Sequence, residues 1–268
     1  MHKLRHRSRA VLIGMSMALP VLTVATQAAE VTPLKPPGVM LEFGEWRGGV
    51  GTHLIPAPFD GLPAARWPMD GWVSMTLDDQ AATLTLKPIP SAEAKVLFKP
   101  ILDQVALAQR GGADTDTPLA DASTGSGPYT SYIRVPGLSL KPRVVPLHRF
   151  KNGTTTLVPE LGYRFQLKLG NFPYAFTVQN GFRTPDGRPY GEGTQFTLEM
   201  DGARYEYDLG GYGWDVRLIA LGDFDGDGKP DFLFSLNGSN STHQALVLST
   251  QARPGRNAPT TYLTGVGC

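Results

Sequence analysis

The chain has 268 residues, with 25 Lys and Arg against 24 Asp and Glu, and a formal net charge of +1. No basic stripe with interleaved aromatics appears, which argues against a nucleic-acid partner. Beyond the N-terminus no segment approaches the roughly 20 apolar residues of a spanning helix. The only cysteine, Cys268, rules out an internal disulfide and leaves a free or capped thiol, or a bridge to another chain, as its roles.

The first residues, MHKLRHRSR, carry Lys3, Arg5, Arg7 and Arg9. An apolar run broken by Pro20 follows, then the small residues of TQAAE. That order is the n-region, h-region and cleavage site of a secretory signal peptide. The expected cut is after Ala28, with Thr26 at the −3 position, and Ala29 is the alternative. The interruption and the small-residue exit disfavour a membrane anchor. Removing four basic residues and no acid takes the net charge from +1 to −3. The chain is therefore expected to be periplasmic or secreted and not membrane-spanning once the signal is removed.

Gly (31) and Pro (23) are spread along the chain, so long helical periodicity is scarce. Residues 29–71 read as an irregular N-terminal segment, with LEFGEW as one short strand. WVSMTL and ATLTLKPI read as a hairpin about Asp78-Asp79-Gln80. AEAKVLFKPILDQVALA allows a helix by its alanines and charges, but Pro100 would break it midway, so strands are favoured. Residues 72–128 are thus a β-rich part ending in the polar, aperiodic stretch 110–128, expected as a flexible loop.

Short alternating runs then recur every 8 to 12 residues: YTSYIRV, RVVPLHRF, TTTLVP, YRFQLKL, YAFTVQN, TQFTLEM, ARYEYDL, WDVRLIAL, FLFSL and QALVLST. Asp186-Gly187 and Asp201-Gly202 are hairpin-turn pairs. The fold class expected is all-β, an antiparallel sandwich or barrel, with residues 129–268 forming one β domain. A calcium hairpin is expected at about 205–268 within it.

DFDGDGKPDF is the stretch that carries chemistry. Asp223, Asp225, Asp227 and Asp231 stand at loop positions 1, 3, 5 and 9, and Lys229 at position 7 offers its backbone carbonyl. Oxygen donors on alternate residues, as the chain curls round one hard cation, are the ligand pattern of a calcium loop. Gly228 at position 6 suits the sharp turn. Four carboxylates so close would repel one another, and a dication removes most of that cost. The site is not an EF-hand: position 12 is Phe234, where a bidentate glutamate is needed, and the flanks are strands. Magnesium, which keeps more water, suits the loop less well.

LGDFDGDGKPDFLFSLN resembles the FG-GAP or VCBS repeat, the D-x-D-x-D-G-x-x-D hairpin of integrin-type propeller blades. The resemblance implies calcium on Asp223, Asp225, Asp227, the Lys229 carbonyl and Asp231. With ALVLSTQARPG and GVGC, the last 60 or so residues also resemble bacterial secreted proteins bearing one such motif near a cysteine terminus. One copy does not make a propeller, so ligand binding of the integrin kind is not implied.

Other residues give weaker signals. His53, His148 and His243 lack zinc-hydrolase spacing. Ser126 is not in a G-x-S-x-G elbow. Glu42, Glu45, Asp60 and Asp70 are acids from which a glycosidase pair could be drawn. Trp46, Trp67, Trp72 and Trp214 fit core packing better than a glycan platform. Asn152, Asn237 and Asn240 lie in N-x-S/T sequons. The leading expectation is a non-enzymatic binding or structural module of the envelope or extracellular space, with structural calcium and a protein or glycan partner. The alternatives are a secreted hydrolase of envelope or extracellular polymers, and an adhesion protein.

Overall fold

A computed structural model describes residues 34–42, 51–53, 55–110, 130–138, 140–183, 189–210, 215–238 and 241–267. Outside them lie the expected signal peptide, the stretch 111–128 with Ser126, Glu45, Trp46, the expected turn at Asp186-Gly187, Trp214, Asn240 and Cys268.

In chain order the strands are β1 (Val39–Glu42), β2 (Gly51–His53), β3 (Trp72–Asp78) and β4 (Thr83–Ile89). Two helices follow, α1 (Ser91–Leu97) and α2 (Lys99–Arg110). Then come β5 (Thr130–Arg134), β6 (Arg143–Pro146), β7 (Arg164–Leu169), β8 (Phe172–Arg183), β9 (Pro189–Met200) and β10 (Ala203–Gly210). The chain continues through β11 (Asp215–Gly222), β12 (Asp231–Asn237), β13 (Ser241–Val247), β14 (Gly255–Asn257) and β15 (Thr261–Gly267).

The strands form three open five-stranded sheets. Sheet A is β1-β5-β3-β4-β6, sheet B is β11-β12-β13-β15-β2, and sheet C is β14-β10-β9-β8-β7. This corrects the expectation of an all-β sandwich or barrel. The fold is mixed α/β, none of the sheets closes among the described residues, and the segment read as strands is the pair of helices. Pro100 does not break them because it is the second residue of α2, in a first turn whose N–H groups have no intrahelical acceptor. Phe98, fully buried, makes the joint between the helices: its N–H donates to the Ala94 carbonyl and its carbonyl accepts from Leu102.

The packing follows strand alternation. One face of sheet A sets Val39, Leu41, Trp72 and Ile89 against Ala94, Phe98, Ile101 and Val105 of the helices, with Phe98 centred 4.6 Å from Trp72. Its other face, with Met40, Val73, Met75, Leu84 and Leu86, meets Ala220, Leu233, Leu246 and Leu263 of sheet B. Sheet B in turn lays Leu218, Phe232, Phe234, Ala245 and Val247 against Phe176, Phe196, Leu198 and Tyr207 of sheet C. Sheet B is therefore the middle layer. That is why Asp231 to Leu236 of β12 form one unbroken buried run, where a half-exposed strand would alternate.

The predicted hairpins at 72–89 and 194–209 form. At the second, Asp201 and Gly202 both have positive φ (51° and 71°), the left-handed pair that a two-residue turn needs to match strand twist. TTTLVP does not become a strand. Only Leu157 bridges to Leu218, and Pro159 soon removes a donor. Among the described residues, no helix is long and apolar enough to cross a membrane.

Candidate metal centre

The aspartate loop joins β11 to β12, the first two strands of the middle sheet, and Gly222 pairs with Asp231 at its mouth. Phe224 plugs one side of the loop into the core between sheets A and B, at 1% exposure. Gly226 and Gly228 take φ of 86° and 81°, conformations that strain any residue with a Cβ. Those two reversals fold the acidic side chains back over the turn.

Asp223, Asp225 and Asp227 each place a carboxylate oxygen within 4.8 Å of the others. The loop's own backbone orients them. Asp223 accepts from Gly226 N–H (2.6 Å) and Gly228 N–H (3.1 Å). Asp225 accepts from Asp227 N–H (3.3 Å), and Asp227 from Lys229 N–H (2.8 Å). The Lys229 ammonium is held by Asp201 at 2.7 Å, which raises its pKa, and it lies 5.8 Å from the centre of the Phe172 ring.

Asp231 is placed differently. It is fully buried and lies outside the group of three. One oxygen accepts from Phe224 N–H (2.6 Å) and Asp225 N–H (3.2 Å), and the other from Ser249 N–H (2.7 Å). Burial, and then the charge of Asp225, push its carboxyl well above the ordinary range, while the three N–H groups pull it back. Burial likewise raises Asp225, with the Asp227 charge adding to it and the Thr250 hydroxyl, donating at 2.6 Å, opposing it. A dication close to these carboxylates would favour their charged forms.

Two contacts had no sequence signal. Thr250 reaches Asp225 from 25 residues away. Arg143 of sheet A donates to the Phe224 carbonyl at 3.3 Å and lays its guanidinium against Gly226, where a Cβ would strike it. Spacing along one hairpin cannot reveal partners brought in from elsewhere in the fold.

The remaining residues singled out in the sequence are scattered. Trp67 and Trp72 are core residues, their indoles donating to the carbonyls of Leu62 and Pro68. Asp60 and Asp70 are exposed, and Asp70 pairs with Arg134. Only the backbones of Glu42 and His53 are described, in β1 and β2. His148 packs edge-on to Phe150 at 4.9 Å. His243 is half-buried between Ser241 and Thr264. Asn152 accepts from the Thr154 hydroxyl and N–H, and Asn237 bridges Asp215 and Thr242.

No protein-family model, curated protein or solved structure matches the chain.

Proposed function

We propose that the protein is an exported module of the cell envelope or extracellular space whose aspartate loop binds one calcium ion. Asp223, Asp225 and Asp227 supply carboxylates and Lys229 its carbonyl, while Asp231 is the buried anchor beneath them. Calcium is favoured because the donors are all oxygen, several are charged, and they come from one short curled loop. The observation that carries the reading is the convergence of three carboxylates at the turn of the two central strands. The ion's role is to hold that turn, supplying folding free energy to a chain with no internal disulfide. A protein or glycan of the envelope or extracellular space is the partner class that fits an exported module.

Calorimetric titration tests the reading. Calcium should bind one site in the wild type, and Asp227→Asn, an exposed substitution, should weaken it at least tenfold with the fold retained. No calcium heat in the wild type, or equal affinity in the variant, overturns it.

A further inference from the structure

A second cluster, independent of the aspartate loop, lies on β13 and β15. Ser241 and His243 are two residues apart on β13 and therefore share a face of sheet B. It is the face that carries Ala245 and Val247 into the core against sheet C. Burial falls along that face, from fully buried Ala245 to half-buried His243 and Ser241, so the pair sits at the half-exposed end of β13. His243 pairs across to Thr264 of β15, and Ala245 to Tyr262.

Four side chains there form a chain of polar contacts. The Ser241 hydroxyl lies 3.2 Å from His243 Nε2, and His243 Nδ1 lies 3.0 Å from the Thr264 hydroxyl. Thr264 also hydrogen-bonds to the Tyr262 side chain. With the proton on His243 Nδ1, that N–H donates to the Thr264 hydroxyl, and the Nε2 lone pair is left to accept the Ser241 proton. The His243 ring is also stacked on Tyr262, with centroids 5.4 Å apart and planes 23° apart. Burial lowers the pKa of His243, which keeps it neutral near pH 7.

We propose that Ser241 is a nucleophile activated by His243, with Thr264 as the positioning residue, and that the substrate class is a small, accessible acyl ester. A serine hydroxyl is a weak nucleophile alone and is activated by an adjacent base that a third group orients. In the acylation step, Ser241 Oγ bonds to the ester carbonyl carbon, its proton passes to His243 Nε2, and the C–O bond to the leaving alcohol breaks as His243 returns the proton to that oxygen. Water then adds to the acyl carbon, losing its proton to His243. The acyl–Oγ bond breaks, the acid departs, and the proton returns to Ser241.

The test uses the full chain and a fluorophosphonate, with p-nitrophenyl acetate as a second probe. Attack by Ser241 Oγ on phosphorus expels fluoride and leaves a stable adduct located by peptide mass mapping. Ser241 should be the labelled residue. His243→Gln should slow labelling and acetate release about 100-fold or more, the usual scale of general-base assistance. Thr264→Val should slow both less and change the pH profile. Ser74→Ala, which removes a hydroxyl bonded to the Lys87 carbonyl on sheet A, should label like the wild type. Melting curves establish that each variant is folded. Absence of label at Ser241 in the wild type, or equal rates in folded His243→Gln, overturns the proposal.

Discussion

The two faces of the middle sheet are packed with different materials. Toward sheet C the core is aromatic: Tyr174, Phe176, Phe196, Tyr205, Tyr207, Phe232 and Phe234 are all buried in it. Toward sheet A it is aliphatic, built on Leu, Val, Met and Ile, with Phe224 from the aspartate loop the one buried aromatic among the described residues. Strand β12 shows the division within three residues, Phe232 and Phe234 facing one way and Leu233 the other. Rings bury more surface each and interlock at defined angles. Phe196 lies 4.9 Å from both Phe232 and Phe234. The loop belongs to both sides: its phenylalanine enters the aliphatic core, while Asp231 begins the strand that carries the aromatic one.

That contrast can be broken by paired truncations. Phe196→Ala should cost about 4 kcal/mol and Leu246→Ala, on the opposite face of sheet B, about 3 kcal/mol, read by urea denaturation. The reverse order would show that the aliphatic side carries more of the stability. Asp231→Ala comes next. It leaves three N–H groups, two of them buried, without their acceptor, against relief of one buried charge, so the net loss should be about 2–3 kcal/mol. Gly226→Ala should cost about 1–2 kcal/mol, because its φ is 86° and the methyl group would displace Arg143. A second variant, Arg143→Ala, should recover part of that loss in the double mutant if the steric account holds.

The smallest effect is that of pH. Burial lowers the pKa of His243 below the ordinary 6.5, so the unfolded chain takes up its proton first as pH falls. The stability that neutral His243 contributes is full above pH 6.5 and is lost as pH drops through that value toward the lower folded one. Denaturation midpoints measured from pH 8 to 5 should fall less steeply in His243→Gln than in the wild type. Equal slopes would mean that His243 is not desolvated.

Local signals were legible, and signals that depend on distant partners were not. Asp201-Gly202 announces its turn because only certain residues tolerate left-handed φ. The alternation of ARYEYDL marks a strand because one face of it is buried. The helices at 91–110 are hidden in the sequence because a proline in their middle by sequence is a proline in a first turn by structure. β15 (TYLTGVG) gives no local strand signal, since its role depends on pairing with β13 and with β2, some 200 residues earlier. In the loop, the spacing of Asp223, Asp225 and Asp227 foretold their convergence. It could not foretell that Asp231 would be committed to the N–H groups of Phe224, Asp225 and Ser249, because Ser249 arrives from the far end of β13.

The claim that the loop is a calcium site holding the central turn is tested most directly by thermal unfolding in calcium and in chelator. At free calcium about 100-fold above its dissociation constant, binding to the folded state alone adds about 2.7 kcal/mol. The wild-type melting temperature should rise by several degrees, and that of Asp227→Asn should change little. Identical wild-type melting in calcium and in chelator would contradict the account.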